Sequence, residues 1–131
     1  MDFGLQNIED YTRKLKWMLK ASKQLEKEFA TEKWSFEDPI HPDTAFSDLV
    51  MQLNPKLAQL LTQRGDEYCK QLLYTIDISE SQLAKAMALE IDQSFSKTLT
   101  KLIIRRCLQK VLIRNYYKSP EKFALGNGLE E

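Results

Sequence analysis

The side chains of this chain best suited to chemistry near neutral pH are one histidine and two cysteines, which serve as nucleophiles, general bases or metal ligands. His41 stands between Pro39 and Pro42, and Cys69 and Cys107 lie 38 residues apart in apolar surroundings. An apolar environment disfavours the reactive thiolate, and the sequence has no C-x-x-C or H-E-x-x-H pattern that would hold zinc. We therefore expect both cysteines to be unpaired, buried and unreactive.

Other catalytic and cofactor-binding patterns are also missing. The 4 glycines do not form a phosphate-binding loop, since neither G-x-x-x-x-G-K-[ST] nor G-x-G-x-x-G occurs. A dimetal site in a helical bundle would need an E-x-x-H pair, which is absent. Paired carboxylates are only sequence neighbours beside loops or helix starts, where capping and solubility explain them: Glu37-Asp38, Asp66-Glu67 and Glu130-Glu131. We predict a protein that is not an enzyme and that uses no cofactor or metal.

Length and composition indicate one globular domain. The chain has 131 residues, of which 43% are hydrophobic and 29% charged, close to ordinary globular values. No apolar run approaches the ~18 residues of a membrane span. The acidic start, Met1-Asp2, does not resemble a secretory signal. We expect a cytoplasmic protein without membrane contact.

Hydrophobic spacing predicts a first amphipathic helix over residues 5–33. Its apolar face alternates steps of three and four residues, with one polar position, along Ile8, Tyr11, Leu15, Met18, Ser22, Leu25 and Phe29. Residues 34–43 should form a linker, because Pro39 and Pro42 are incompatible with a helix interior. Three apolar linker residues should cover an open end of the core: Trp34, Phe36 and Ile40.

Proline, glycine and capping residues divide the middle of the chain. Asp43 or Thr44 should cap a second helix, which ends or kinks at Pro55. Proline also suits the first turn of a helix, so a new helix should follow it. Gly65 should close that helix, and Asp66 should begin the next one.

The C-terminal part begins with a capping box, in which Ser79 caps a helix and Gln82 stands three residues later. This helix either continues to Lys118 or breaks, at residues 90–94 or near residue 104. Residues 119–131 should be a flexible tail. The pattern predicts an all-α fold, a small antiparallel helical bundle of four to five helices within residues 1–118, whose long C-terminal helix is straight or kinked.

Charge is unevenly distributed although the net charge is zero. Residues 43–92 carry 4 basic and 8 acidic side chains, whereas residues 93–118 carry seven basic and no acidic ones. On a helix with about 100° per residue, the apolar side of this basic segment changes direction near residues 104–106. Three explanations are open. The helix lies at the centre of the fold with neighbours on both sides, it is broken, or its second half is buried against another chain.

The last of these options predicts a protein–protein interaction or assembly module, whose partner is another protein or a second copy of the chain. Tyrosine and arginine are enriched in interface hot spots. We therefore expect the interface within residues 104–117, at Ile104, Leu108, Val111, Leu112, Arg114, Tyr116 and Tyr117.

The same basic segment supports an alternative function in nucleic-acid association. Its cations could neutralise phosphates, and the expected contacts are Lys97, Lys101, Arg105, Arg106, Lys110 and Lys118. Two observations oppose this alternative. The cations of the two helix halves point in different directions, and a pI of 6.6 is low for a dedicated nucleic-acid binder.

Overall fold

The fold is all-α, as predicted, in a computed structural model that describes residues 8–119. It contains four α-helices within that range, α1 (Leu15–Glu28), α2 (Ala45–Ile76), α3 (Glu80–Leu89) and α4 (Phe95–Lys118), with 3₁₀ turns at Tyr11–Arg13 and Ala30–Glu32. The helices pack as a small bundle around one hydrophobic core. The predicted tail lies outside the described residues from position 120 onward.

The predicted first helix is correct in its buried face but wrong in its continuity. Its seven heptad positions are all buried or half-buried. However, Lys14 is extended, with φ −115° and ψ 115°, and separates the first 3₁₀ turn from α1. Across this break Tyr11 and Trp17 pack edge to face, with ring centroids 6.2 Å apart. The predicted start of the helix, residues 5–7, lies outside the described residues.

The linker after the second 3₁₀ turn covers the core with two of the three expected side chains. Phe36 is buried, and Trp34 packs against Phe29 with ring centroids 4.9 Å apart. The Phe36 N–H donates to Glu26 Oε2 at 2.9 Å, which ties the linker to α1. Ile40 instead remains 75% exposed.

The helix α2 runs through Pro55 and changes direction at Gly65. The prediction was that the helix ends or kinks at Pro55. A helix end there is wrong, because the backbone stays helical, with Leu53 and Leu57 fully buried on either side. Gly65 has φ 76° and ψ −166°, which a residue with a Cβ adopts only at a cost. The predicted boundary at Gly65 is therefore confirmed as a sharp kink within α2.

A bidentate ion pair lies next to this kink. Arg64 Nη1 and Nη2 donate to the two carboxylate oxygens of Glu32 at 2.9 and 3.0 Å. These hydrogen bonds hold the pKa of the Glu32 carboxyl below its usual value. The pair joins the residue before the kink to the 3₁₀ turn that follows α1.

The C-terminal end of α2 has a left-handed residue that α4 holds in place. Asp77 has φ 68° and ψ 56°, and Ile78 N–H donates to Leu73 C=O at 2.9 Å, as in a Schellman motif. Arg106 Nε donates to the Asp77 carbonyl at 3.1 Å, and its Nη2 donates to Asp77 Oδ2 at 2.8 Å. The guanidinium thus binds both the backbone and the side chain of this cap.

The predicted capping box is confirmed at the start of α3. Gln82 N–H donates to Ser79 Oγ at 3.0 Å, and Ser79 N–H donates to Gln82 Oε1 at 2.9 Å. Of the open alternatives for the following segment, the structure has the break at residues 90–94. Ser94 then caps α4 by accepting the Lys97 N–H at 3.2 Å.

The centre of the bundle is α4, which contacts the other three helices. Its buried residues point to all sides: Thr98, Leu99, Thr100, Leu102, Ile103, Ile104, Cys107, Leu108, Val111 and Leu112. A helix that is apolar all round must have neighbours all round. The change of apolar direction along this helix is therefore explained by a central position, and α4 is helical through residue 104.

The left-handed cap at Asp77 gives a test of the α2–α4 connection. We expect Asp77→Ala to be about 1 kcal/mol less stable than Asp77→Gly. The Cβ of alanine is sterically strained in the left-handed conformation, whereas glycine has no Cβ. Both variants lose the carboxylate and keep the backbone carbonyl that accepts from Arg106. The difference between their free energies of unfolding therefore reports backbone strain alone. Urea denaturation of the two variants measures it. Equal stabilities would contradict the left-handed assignment.

Candidate interaction surfaces

Four of the seven expected interface residues lie inside the chain's own core. Ile104, Leu108 and Leu112 are fully buried, and Val111 is 3% exposed. The structure thus corrects the expectation of a docking surface at these positions. The physical reason is that α1 and α2 already pack against both sides of α4.

The other three expected interface residues lie at the end of α4. Arg114 Nη2 donates to Gln24 Oε1 of α1 at 2.7 Å. Tyr116 is half-buried against the core, and Tyr117 is 76% exposed. The rings of these two tyrosines meet edge to face, with centroids 5.3 Å apart. Arg114 and Tyr117 are therefore exposed, and Tyr116 is partly exposed.

Four of the six cations expected to contact nucleic acid are paired with acidic side chains of other segments. The pairs are Lys101–Glu90 at 3.0 Å, Arg105–Glu9 at 2.7 Å, Arg106–Asp77 at 2.8 Å and Lys110–Glu28 at 2.6 Å. Lys97 and Lys118 are exposed and have no partner among residues 8–119. The cations of α4 therefore connect the helix to four different segments and do not form one surface.

A groove with an apolar floor lies between α1, the linker and the start of α2. Its volume is 270 Å³, and it is lined by Met18, Ser22, Glu37, Asp38, Pro39, Ile40, Ala45, Asp48, Leu49, Met51 and Gln52. Met18, Ala45 and Leu49 are buried and form its floor. Ile40 and Met51 of this lining are 75% and 73% exposed.

Three exposed carboxylates belong to the same groove: Glu37, Asp38 and Asp48. The linker is held there because Glu37 N–H donates to Gln52 Oε1 of α2 at 2.8 Å. Asp48 accepts a hydrogen bond from the Thr44 hydroxyl at 3.0 Å. The groove therefore combines an apolar floor with a negatively charged margin. The sequence did not predict this site, because its parts are far apart in the chain.

The outer face of α1 carries a second charged feature that sequence analysis missed. Lys16, Lys20, Lys23 and Lys27 follow one another at intervals of four, three and four residues, so they share one face of the helix. All four are exposed. We call these four residues the lysine face. Their regular spacing in the sequence is the signal that indicates this face.

The side chains best suited to catalysis or metal binding are one histidine and two cysteines. No group of three His, Cys, Asp or Glu residues within positions 8–119 is placed to hold a metal ion. Both cysteines are free, as predicted. Cys107 is fully buried, and this burial raises the pKa of its thiol well above the usual value. Cys69 is half-buried, and its pKa is raised by burial and by Asp66.

Within the described part of the chain, every helix is too short or too polar to cross a bilayer. Comparisons of the chain with models of protein families, with curated protein sequences and with solved structures give no match. The surfaces described above are therefore the basis on which a function can be inferred.

The two thiols give a test of the central position of α4. We expect a thiol-specific chromogenic reagent to modify only Cys69 in the native protein, because Cys107 is inaccessible and its raised pKa disfavours the thiolate. Denaturant should expose both thiols, and Cys69→Ser should abolish the native reaction. Modification of Cys107 in the native state at the rate of an unfolded thiol would contradict its burial.

Proposed function

We propose that this protein is a non-catalytic protein–protein interaction module. Its partner segment places an apolar side chain in the groove between α1, the linker and α2, with lysine or arginine on either side. The observation that carries this proposal is the coincidence of two exposed apolar side chains, Ile40 and Met51, with three carboxylates around one concavity.

The energetics support an apolar anchor with cationic flanks. Burying one large apolar side chain contributes about 1.5–3 kcal/mol, and Ile40 and Met51 both have most of their surface left to bury. Methionine also adapts its shape to different partners. The carboxylates at Glu37, Asp38 and Asp48 favour a cationic segment and speed its approach. A volume of 270 Å³ suits one or two side chains rather than a large cofactor.

The proposal changes the location of the interface expected from sequence. Residues 104–112 are occupied by the chain's own core, so a partner must dock elsewhere. A homodimer built on those residues loses its support for the same reason. Nucleic-acid binding through residues 97–118 also loses support, because most of its cations are engaged within the fold. Two free cysteines favour a reducing compartment, and we propose the cytoplasm.

A peptide titration tests the proposed function. The probe is a short fluorescent peptide with leucines at positions i, i+3, i+4 and i+7 and lysines elsewhere, read by anisotropy. We expect the double variant Ile40→Asn with Met51→Gln to bind it at least about tenfold more weakly, since tenfold corresponds to about 1.4 kcal/mol. A peptide with glutamates in place of the lysines should not bind.

A matched control is available elsewhere on the surface. Ile91 and Leu89 are 84% and 85% exposed and lie outside the groove, so Ile91→Asn with Leu89→Gln should leave binding unchanged. Equal weakening by both double variants, or no binding to the folded wild type, would contradict the proposal. If the wild type is a dimer and only the groove variant is a monomer, the occupant of the groove is a second copy of the chain.

A further inference from the structure

We propose that the lysine face of α1 binds the phosphate backbone of a nucleic acid without reading its bases. This surface adjoins the groove at one point, where Lys23 lies 3.8 Å from Asp38, but the proposal does not depend on the peptide-binding function. It also differs from the nucleic-acid hypothesis for residues 97–118, because it uses a different helix and different cations.

The first argument is the geometry of the four lysines. At about 100° per residue, their Cα positions fall within an arc of about 60°, and eleven residues of helix span about 16 Å. The arc lies opposite the buried side of α1, which carries Met18, Ala21 and Leu25. The cations therefore form a narrow straight line that faces away from the core. Duplex DNA carries one negative charge per about 1.7 Å of axis, so such a line faces several phosphates in any register.

The second argument is that these charges are available. Lys27 has no partner among the described residues, and Lys23 makes only long, exposed contacts of 3.9 and 3.8 Å with Glu26 and Asp38. Exposed pairs of this kind contribute little. The Lys16 and Lys20 ammonium groups lie 5.0 and 5.9 Å from the Trp17 ring centroid. A cation over a ring keeps its full charge and is held in position.

Several cations of α4 are not available in this way. Four of its seven basic side chains meet carboxylates at 2.6 to 3.0 Å, which neutralises them within the fold.

The third argument distinguishes nucleic acid from a membrane surface. A helix that binds a bilayer inserts an apolar face, whereas the apolar face of α1 is buried in the bundle, with Met18 and Leu25 at its centre. The most exposed large apolar side chain on α1 is Leu19, at 37%. The lysine face also lacks the arginine and amide side chains that read base edges. Its chemistry fits a linear polyanion that is recognised by charge alone.

The experiment is an anisotropy titration of the full chain with two labelled DNA duplexes of unrelated sequence. We expect both to bind alike, with a slope of log K against log salt of about −3 to −4 for three to four phosphate contacts. The variant Lys16→Gln, Lys20→Gln and Lys27→Gln should bind at least about tenfold more weakly, with a slope near −1. Glutamine has nearly the helix propensity of lysine, so circular dichroism should show unchanged helicity.

A matched triple variant separates this face from total charge. Lys70, Lys85 and Lys97 are exposed and have no partner within residues 8–119, so their change to glutamine removes the same charge elsewhere. This control should bind DNA within about threefold of the wild type. Equal weakening by both triple variants would overturn the proposal, as would no binding at low salt. Binding to vesicles containing phosphatidylserine but not to either duplex would overturn it in favour of a membrane.

Discussion

The burial of α4 on all sides is the constraint on which the rest of this structure depends. Ten of its residues are buried, and they point in every direction around the helix axis. Burial of that kind requires a neighbour on each side. The helix α1, the kinked α2 and the short α3 supply these neighbours. The kink at Gly65 belongs to this arrangement, because it redirects α2 before the Asp77 cap that Arg106 binds.

Polar groups on α4 reach the surface only between its neighbours. Five of its seven basic side chains meet an acceptor from an adjacent segment, as Lys110 meets Glu28 of α1 and Lys101 meets Glu90 after α3. A local excess of charge in the sequence is therefore neutralised by the fold. On α1 the situation differs, because the lysine face makes only one long contact with another segment, between Lys23 and Asp38 at 3.8 Å. Basic side chains that lack close acidic partners in the structure indicate a binding surface better than a high number of basic residues in one segment of the sequence.

Local signals in the sequence predicted local structure well. The heptad face of residues 8–29, the capping box at Ser79 and the boundary at Gly65 follow from side-chain chemistry near each position, and all are present. Pro55 failed as a helix end because burial of the leucines around it outweighs its local cost. Four of the expected interface residues instead lie in the core, because apolar periodicity cannot distinguish a neighbour in the same chain from one in another. The groove joins three distant segments, so no local pattern could predict it.

Native-state hydrogen exchange of α4 tests the central position of this helix most directly. If both faces are buried within one chain, amides from Leu99 to Leu112 should all exchange at the free energy of global unfolding, independently of protein concentration. Uniform protection across both halves is the predicted result. Faster exchange in residues 104–112 than in 99–103, with protection that rises with concentration, would contradict the account and show that another chain completes the second half.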